Sequence, residues 1–169
     1  NGPDGALYVV DMYRAVIEHP EWMPPELRRR PDLLDGNDRG RIYRIVSETR
    51  GTNKAAASVS IATTDPTDLS TLLNHENSWH RETAARRLLE VGGDAVIKPL
   101  EQIASNAPKP VARYLAISTL DALASLPPQL LVGTLSDAPP EIRTLGLVFA
   151  EQHLCNSHEL VRNVVMLAD

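Results

Sequence analysis

One cysteine, Cys155, is all the chain has, and a single thiol excludes an internal disulfide framework and any CxxC or CxxCH motif. Aromatic residues make up only 4% of the 169 residues, with one phenylalanine. That scarcity suits a helical stack built from Leu, Ala and Val. No stretch approaches the ~20 apolar residues of a membrane-crossing helix, so direct membrane insertion is not expected. Positive charge is not in excess either. Seventeen Lys and Arg stand against 22 Asp and Glu, a net charge of −5, which argues against nucleic acid or an anionic membrane as partner. The one basic run, Arg28-Arg29-Arg30, lies between Glu26 and Asp32 and reads as a solvated loop. Gly-rich phosphate loops, nucleophile elbows and haem-attachment motifs are all missing, and no residue is assigned a catalytic role. What remains is an ordinary globular composition, 43% hydrophobic and 23% charged.

The residues are unevenly organised. Pro3-Asp4-Gly5 is turn chemistry: Pro presets φ, Asp bonds its own backbone, and Gly tolerates positive φ. Leu7 to Val10 then reads as a strand ending at Asp11. Arg41 to Val46 reads as a second strand, with Ile42, Arg44 and Val46 on one face and Arg41, Tyr43 and Ile45 on the other. Residues 12–38 between them hold Pro20, Pro24, Pro25 and Pro31, a length that in compact domains is usually functional or disordered. Two strands alone are marginally stable, so residues 1–47 are expected to need neighbouring strands upstream of Asn1. The chain opens in a β pattern without an initiator Met and closes inside a helical one, and is expected to be a piece of a longer polypeptide.

The stretches "GPDGALYVVD" and "GRIYRI" resemble the inner strands of a β-propeller blade of the glucose/sorbosone dehydrogenase type. The insertion "DMYRAVIEHPEWMP" resembles the end of the propeller in the exported bacterial "putative membrane-bound dehydrogenase" family. That resemblance implies a periplasmic or cell-envelope protein. Its propeller continues into HEAT-like repeats and often into a c-type haem domain, and the parent's cofactor would be pyrroloquinoline quinone or that haem. In such propellers the loop opens on the ligand face, which would direct Asp11, Tyr13, Arg14, Glu18 and His19 towards a channel mouth. An ion, a sugar hydroxyl or a quinone would suit that set. The structural alternative is that Arg14 and Asp11 form a tethering salt bridge while Trp22 and Pro20 pack the loop against the first helical repeat.

From residue 65 the pattern becomes helical and repeats itself. "HRETAARRLLE", "ARYLAISTLDAL" and "IRTLGLVFAEQH" align on Arg81, Arg113 and Arg143, which lie 32 and then 30 residues apart. Three positions after each Arg comes a small residue, Ala84, Ala116 or Gly146. A shorter apolar helix precedes each, and the turns between them read "NHENSW", "SNAPKP" and "SDAPPE". A period near 30 built from helix–turn–helix units predicts an α-solenoid, and its Asn/Asp, Pro and Arg placements resemble short HEAT-type repeats. The expected fold is therefore mainly α: repeats over 65–92, 93–126, 127–156 and a truncated 157–169, behind a linker at 48–64 and the N-terminal hairpin. The small residues would let helices approach closely. The arginines would bond carbonyls or an Asp of a neighbouring turn.

Two histidine groupings invite a metal reading. His75 and His80 are five apart, about 140° around a helix, where a zinc-protease pair needs four. Asn77-Ser78 between them reads as a turn and helix cap, which makes the group a solvated turn. His153, Cys155 and His158 lack a fourth ligand, and Cys155 is expected as a buried or half-buried hydrophobe. No metal site is expected.

Two functions follow as expectations. One is a non-catalytic junction and repeat scaffold whose partners are the upstream propeller, a downstream haem domain, or a protein on the repeat surface. The other is part of a quinone-dependent sugar or alcohol dehydrogenase, with loop 12–38 bordering the active-site face.

Overall fold

The computed structural model describes residues 1–17, 19–46, 61 and 65–167. The chain divides into two units, Asn1–Ser58 and Val59–Asp169. The fold is mainly helical, with a two-stranded antiparallel hairpin near the N-terminus. The expected linker at 48–64 lies outside the described residues, apart from Ile61.

In the first unit, β1 (Leu7–Asp11) pairs with β2 (Arg41–Ile45), with Leu7 opposite Ile45 and Asp11 opposite Arg41. Val46, expected in the strand, falls just past it. The turn before β1 is tied by its own residues. Gly2 N–H donates to the Ala6 carbonyl at 2.9 Å, and Ala6 N–H donates to Asp4 Oδ1 at 3.0 Å. Asp4 Oδ2 accepts from Arg44 Nε at 2.6 Å and from the Tyr8 hydroxyl at 3.1 Å. The Ala6 N–H, followed by Arg44 and Tyr8, holds the Asp4 carboxyl below its ordinary value. What the hairpin lacks is a core. Val10 is 72% and Ile42 69% exposed, and no strand residue is buried. Among the described residues of this unit only Ala6 and Met23 are buried apolar side chains. Loop 12–38 contains two short 3₁₀ turns, Pro20–Trp22 and Leu27–Arg29.

In the second unit, seven helices are present among the described residues: α1 (Pro66–Leu72), α2 (Ser78–Val91), α3 (Asp94–Asn106), α4 (Pro110–Ala122), α5 (Pro128–Leu135), α6 (Pro140–His153) and α7 (His158–Met166). Their starts follow from local chemistry. Asp65, Asn77 and Ser157 cap α1, α2 and α7 by accepting from Thr67, Trp79 and Leu160 N–H. Pro66, Pro110, Pro128 and Pro140 occupy first-turn positions, where a missing N–H costs nothing. Gly92 and Gly93, at φ +58° and +72°, turn the chain from α2 into α3.

Consecutive helices pair as α1–α2, α3–α4 and α5–α6, and the pairs stack in two layers. α1, α3, α5 and α7 pack in series in one layer, and α2, α4 and α6 in the other. This helical-repeat arrangement is compatible with an α-solenoid. The core between the layers runs continuously through Leu69, Leu88, Leu100, Ile117, Leu131, Ile142 and Leu160. The first helices are not uniformly short. α3 is as long as α4 and runs through Pro99, whose ring removes one backbone hydrogen bond. Val96, Leu100 and Ala104 on either side of that proline are buried on one stripe, so packing outweighs the local loss.

Candidate functional site

Of the two units, the loop of the first holds the residues that the sequence points towards a ligand face. Its geometry starts at Asp11, whose Oδ1 accepts from Tyr13 N–H at 2.8 Å. That bond helps hold Tyr13 at φ +50°, a left-handed conformation costly for an aromatic residue. Gly36, itself at φ +78°, lies so close to the Tyr13 carbonyl that any Cβ there would overlap it. Ala15 N–H donates to the Asp35 carbonyl at 3.2 Å and closes the two ends of the loop on each other. Over the Tyr13 ring stands the Arg41 guanidinium, 4.7 Å from its centroid, with Arg39 at 6.0 Å.

Arg14 does not pair with Asp11. Its Nη2 donates to the Leu33 carbonyl at 3.1 Å, and its Nε is buried with no hydrogen-bond partner. Asp11 instead accepts from the Tyr13 N–H, and the expected tether does not form. His19 accepts from Glu21 N–H through Nδ1 at 3.3 Å and tilts against Trp22 at 5.6 Å. Trp22 is 79% exposed. Glu18 lies outside the described residues. Arg28 is bound to the Met23 and Glu21 carbonyls, and Arg30 pairs with Asp32, which lies below its ordinary value because of that bond.

Two clefts open beside Arg14. One, of about 710 Å³, is lined by Tyr13, Arg14, Asp35, Asn37, Asp38 and Arg39. The other, of about 700 Å³, has Arg14, Ile17, His19, Met23, Arg30 and Leu34 on its walls. Arg14 is common to both. The structure thus brings Arg14 beside Tyr13 on one side and beside His19 on the other.

In the repeats, the three aligned arginines sit under the inter-helix turns. Arg81 Nη1 donates to the His75 and Glu76 carbonyls at 2.8 and 2.7 Å. Arg143 Nη1 makes the same two bonds, to Asp137 and Ala138, at 2.8 and 2.7 Å. Arg113 differs. Its Nε donates to the Ala104 carbonyl at 3.1 Å, and its guanidinium forms an ion pair with Asp137, with Nη1 3.0 Å from Oδ1. Asp137 therefore joins two repeats, by its side chain to Arg113 and by its carbonyl to Arg143. Lys109 adds a rung that the aligned register does not mark, donating to the Asn74 carbonyl at 3.1 Å and pairing with Glu76. Lys109 holds the Glu76 carboxyl below its ordinary value. Ala84, Ala116 and Gly146 are all buried. A cleft of about 570 Å³ beside the Arg113–Asp137 pair is lined by Glu101, Ser105, Gln129 and Leu130 among others.

Two histidine-region expectations need correcting. His80 is not in a solvated turn: it is 1% exposed, tilted against His75 at 4.4 Å and edge-on to Trp79. It lies on the same stripe as Ala84 and Leu88, so the packing of α2 draws it inward. Cys155 is exposed, because the 3₁₀ turn Leu154–Asn156 carries it outward. His153 stands 3.6 Å from Asp121. Among the described residues no group of three or more His, Cys, Asp or Glu is placed to hold a metal ion.

Residues 1–49 match a protein family described as a domain of unknown function (DUF7133). No curated protein and no solved structure matches the chain. The family match covers the hairpin and its loop and leaves the helices outside it.

Proposed function

We propose that the chain is a non-catalytic junction and interaction scaffold within a larger exported dehydrogenase-like protein. In this reading the hairpin belongs to the last blade of a β-propeller, and the helices are HEAT-like repeats. The observation that carries the scaffold is the polar ladder of the repeats. Arg81, Lys109, Arg113 and Arg143 have their donors engaged by backbone carbonyls or by Glu76 and Asp137 of the turns. Arg81 and Arg143 clamp the turns of their own repeats while Lys109 and Arg113 join one repeat to the next, which stiffens the stack as a surface for protein contacts requires. Support for the propeller comes from the hairpin, whose apolar side chains stand exposed on both faces, and from a family match confined to it and its loop. Further strands would pair its open edges, and neighbouring blades packed on it would cover its exposed faces. The partners are then the upstream propeller, a downstream haem domain and a protein on the repeat surface, in the periplasm or cell envelope. A quinone or c-type haem would belong to the larger protein.

A second reading makes loop 12–38 the border of a sugar or alcohol dehydrogenase site. What favours it is the strained Tyr13 beside a half-buried Arg14. One assay separates the two. The larger protein of this reading is mixed with a panel of sugars and alcohols and an artificial dye acceptor, with pyrroloquinoline quinone supplied. The scaffold reading expects Arg14→Ala to leave dye reduction unchanged. Dye reduction that falls about tenfold or more in Arg14→Ala at unchanged melting temperature, roughly 1.4 kcal/mol of transition-state stabilisation, would establish the second reading in its place.

A further inference from the structure

We propose that the cleft formed by Arg14, His19 and Arg30 is a binding site for a small organic carboxylate with a compact apolar body. Arg14 supplies the reason for an anion. Its guanidinium keeps its charge at any physiological pH. It is half-buried, held by one carbonyl, and forms no ion pair among the described residues. Two other arginines of the same loop show what compensation looks like: Arg30 has Asp32, and Arg28 has two carbonyls. A cation left partly desolvated without a counter-charge is stabilised by any anion that reaches it.

The two clefts beside Arg14 differ in charge. In the first, Asp35 and Asp38 offset Arg14 and Arg39 and leave no net attraction for an anion. Among the described residues the second is lined by no acidic side chain, and Arg14 is its one cation without a counter-charge, since Arg30 is paired with Asp32. Ile17, Met23 and Leu34 complete it with apolar surface. Its volume, about 700 Å³, lies in the range of small-molecule sites. Charge selects the carboxylate and the apolar wall selects its body. Inorganic phosphate meets the first requirement and not the second. The site lies within one loop and stands whether or not the helices act as a scaffold.

The test follows the Arg14 side-chain Nε–H signal by NMR, in the whole 169-residue chain, during titration with hexanoate, acetate, hexan-1-ol and inorganic phosphate. Arg14→Lys assigns the signal. Hexanoate should move it saturably, with acetate and phosphate at least about tenfold weaker and hexan-1-ol without saturable effect. Leu34 is exposed, so Leu34→Asp leaves the fold intact while placing a carboxylate in the wall. Leu34→Asp should weaken hexanoate at least tenfold and Leu34→Asn should not. No movement of the Arg14 signal, equal binding of hexanol, or phosphate binding as tightly as hexanoate would each overturn the proposal.

Discussion

Gly146→Leu should destabilise the helical unit by about 3 kcal/mol, the upper part of the range for overpacking a buried contact. Gly146 sits in α6 facing α5. A Cβ built there would lie 3.0 Å from Thr134 Cβ and 3.2 Å from Leu135 Cδ2, and inside the envelope of Thr134 Oγ1. Thr134 cannot easily step aside. It is buried, and its hydroxyl donates to the Leu131 carbonyl at 2.6 Å. Even Gly146→Ala should cost about 1 kcal/mol, although alanine in place of glycine would favour an exposed helix by a similar amount. Thr134→Ala removes the most crowded atom. Gly146→Ala should therefore be at least ~1 kcal/mol less harmful in a Thr134→Ala background than alone. Chemical denaturation followed by far-UV circular dichroism measures all four corners of that cycle. An additive result would mean that α5 and α6 are not in close contact at this point.

Arg113→Ala should cost about 3 kcal/mol, and Arg81→Ala and Arg143→Ala about 1–2 kcal/mol each. The three arginines occupy equivalent positions, so the difference isolates the ion pair. Arg81 and Arg143 each give up charge-assisted bonds to two carbonyls that solvent can partly replace. Removing Arg113 strands Asp137, whose side chain is only 12% exposed against 19% for Arg113. An unpaired half-buried carboxylate is the main source of the loss. Asp137→Asn in the Arg113→Ala background should recover part of it, because an amide is less costly to bury than a charge. Equal losses at all three arginines would mean that the Arg113–Asp137 pair adds nothing beyond a carbonyl clamp.

The mainly helical fold and the N-terminal hairpin were legible because their signals are local. Pro110 and Pro140 mark helix starts, Asn77 caps α2, and the alternation in Arg41 to Ile45 marks a strand. Relations between elements were harder to read. Lys109 and Glu76 meet because their turns are one repeat apart, a contact that becomes visible only once the turns are superposed in register. His80 carried a usable signal, since its four-residue spacing to Ala84 and eight to Leu88 places it on the buried stripe. Placing it with His75 and Asn77 in a solvated turn obscured that spacing. Cys155 had no such cue: its side chain points out because a short 3₁₀ turn follows α6, and turn geometry of that kind is decided by packing. In the loop, Tyr13 and Arg14 were identifiable as polar residues in a long insertion. Their particular state depends on Gly36 and Leu33, about twenty residues on, and no pattern near Tyr13 encodes that closure.

Hydrogen exchange over the whole chain tests most directly whether a self-sufficient repeat stack follows an incomplete β unit. Ala84 to Leu88 lie in α2 against a continuous core, whereas Leu7 to Val10 belong to a hairpin with solvent on both faces. The hydrogen-bonded amides of β1 should exchange on the order of a hundredfold faster than those of α2, because local opening of the hairpin exposes almost no buried apolar surface. Equal protection of the two segments would contradict the account, since it would require β1 and β2 to be buried against a partner within these 169 residues.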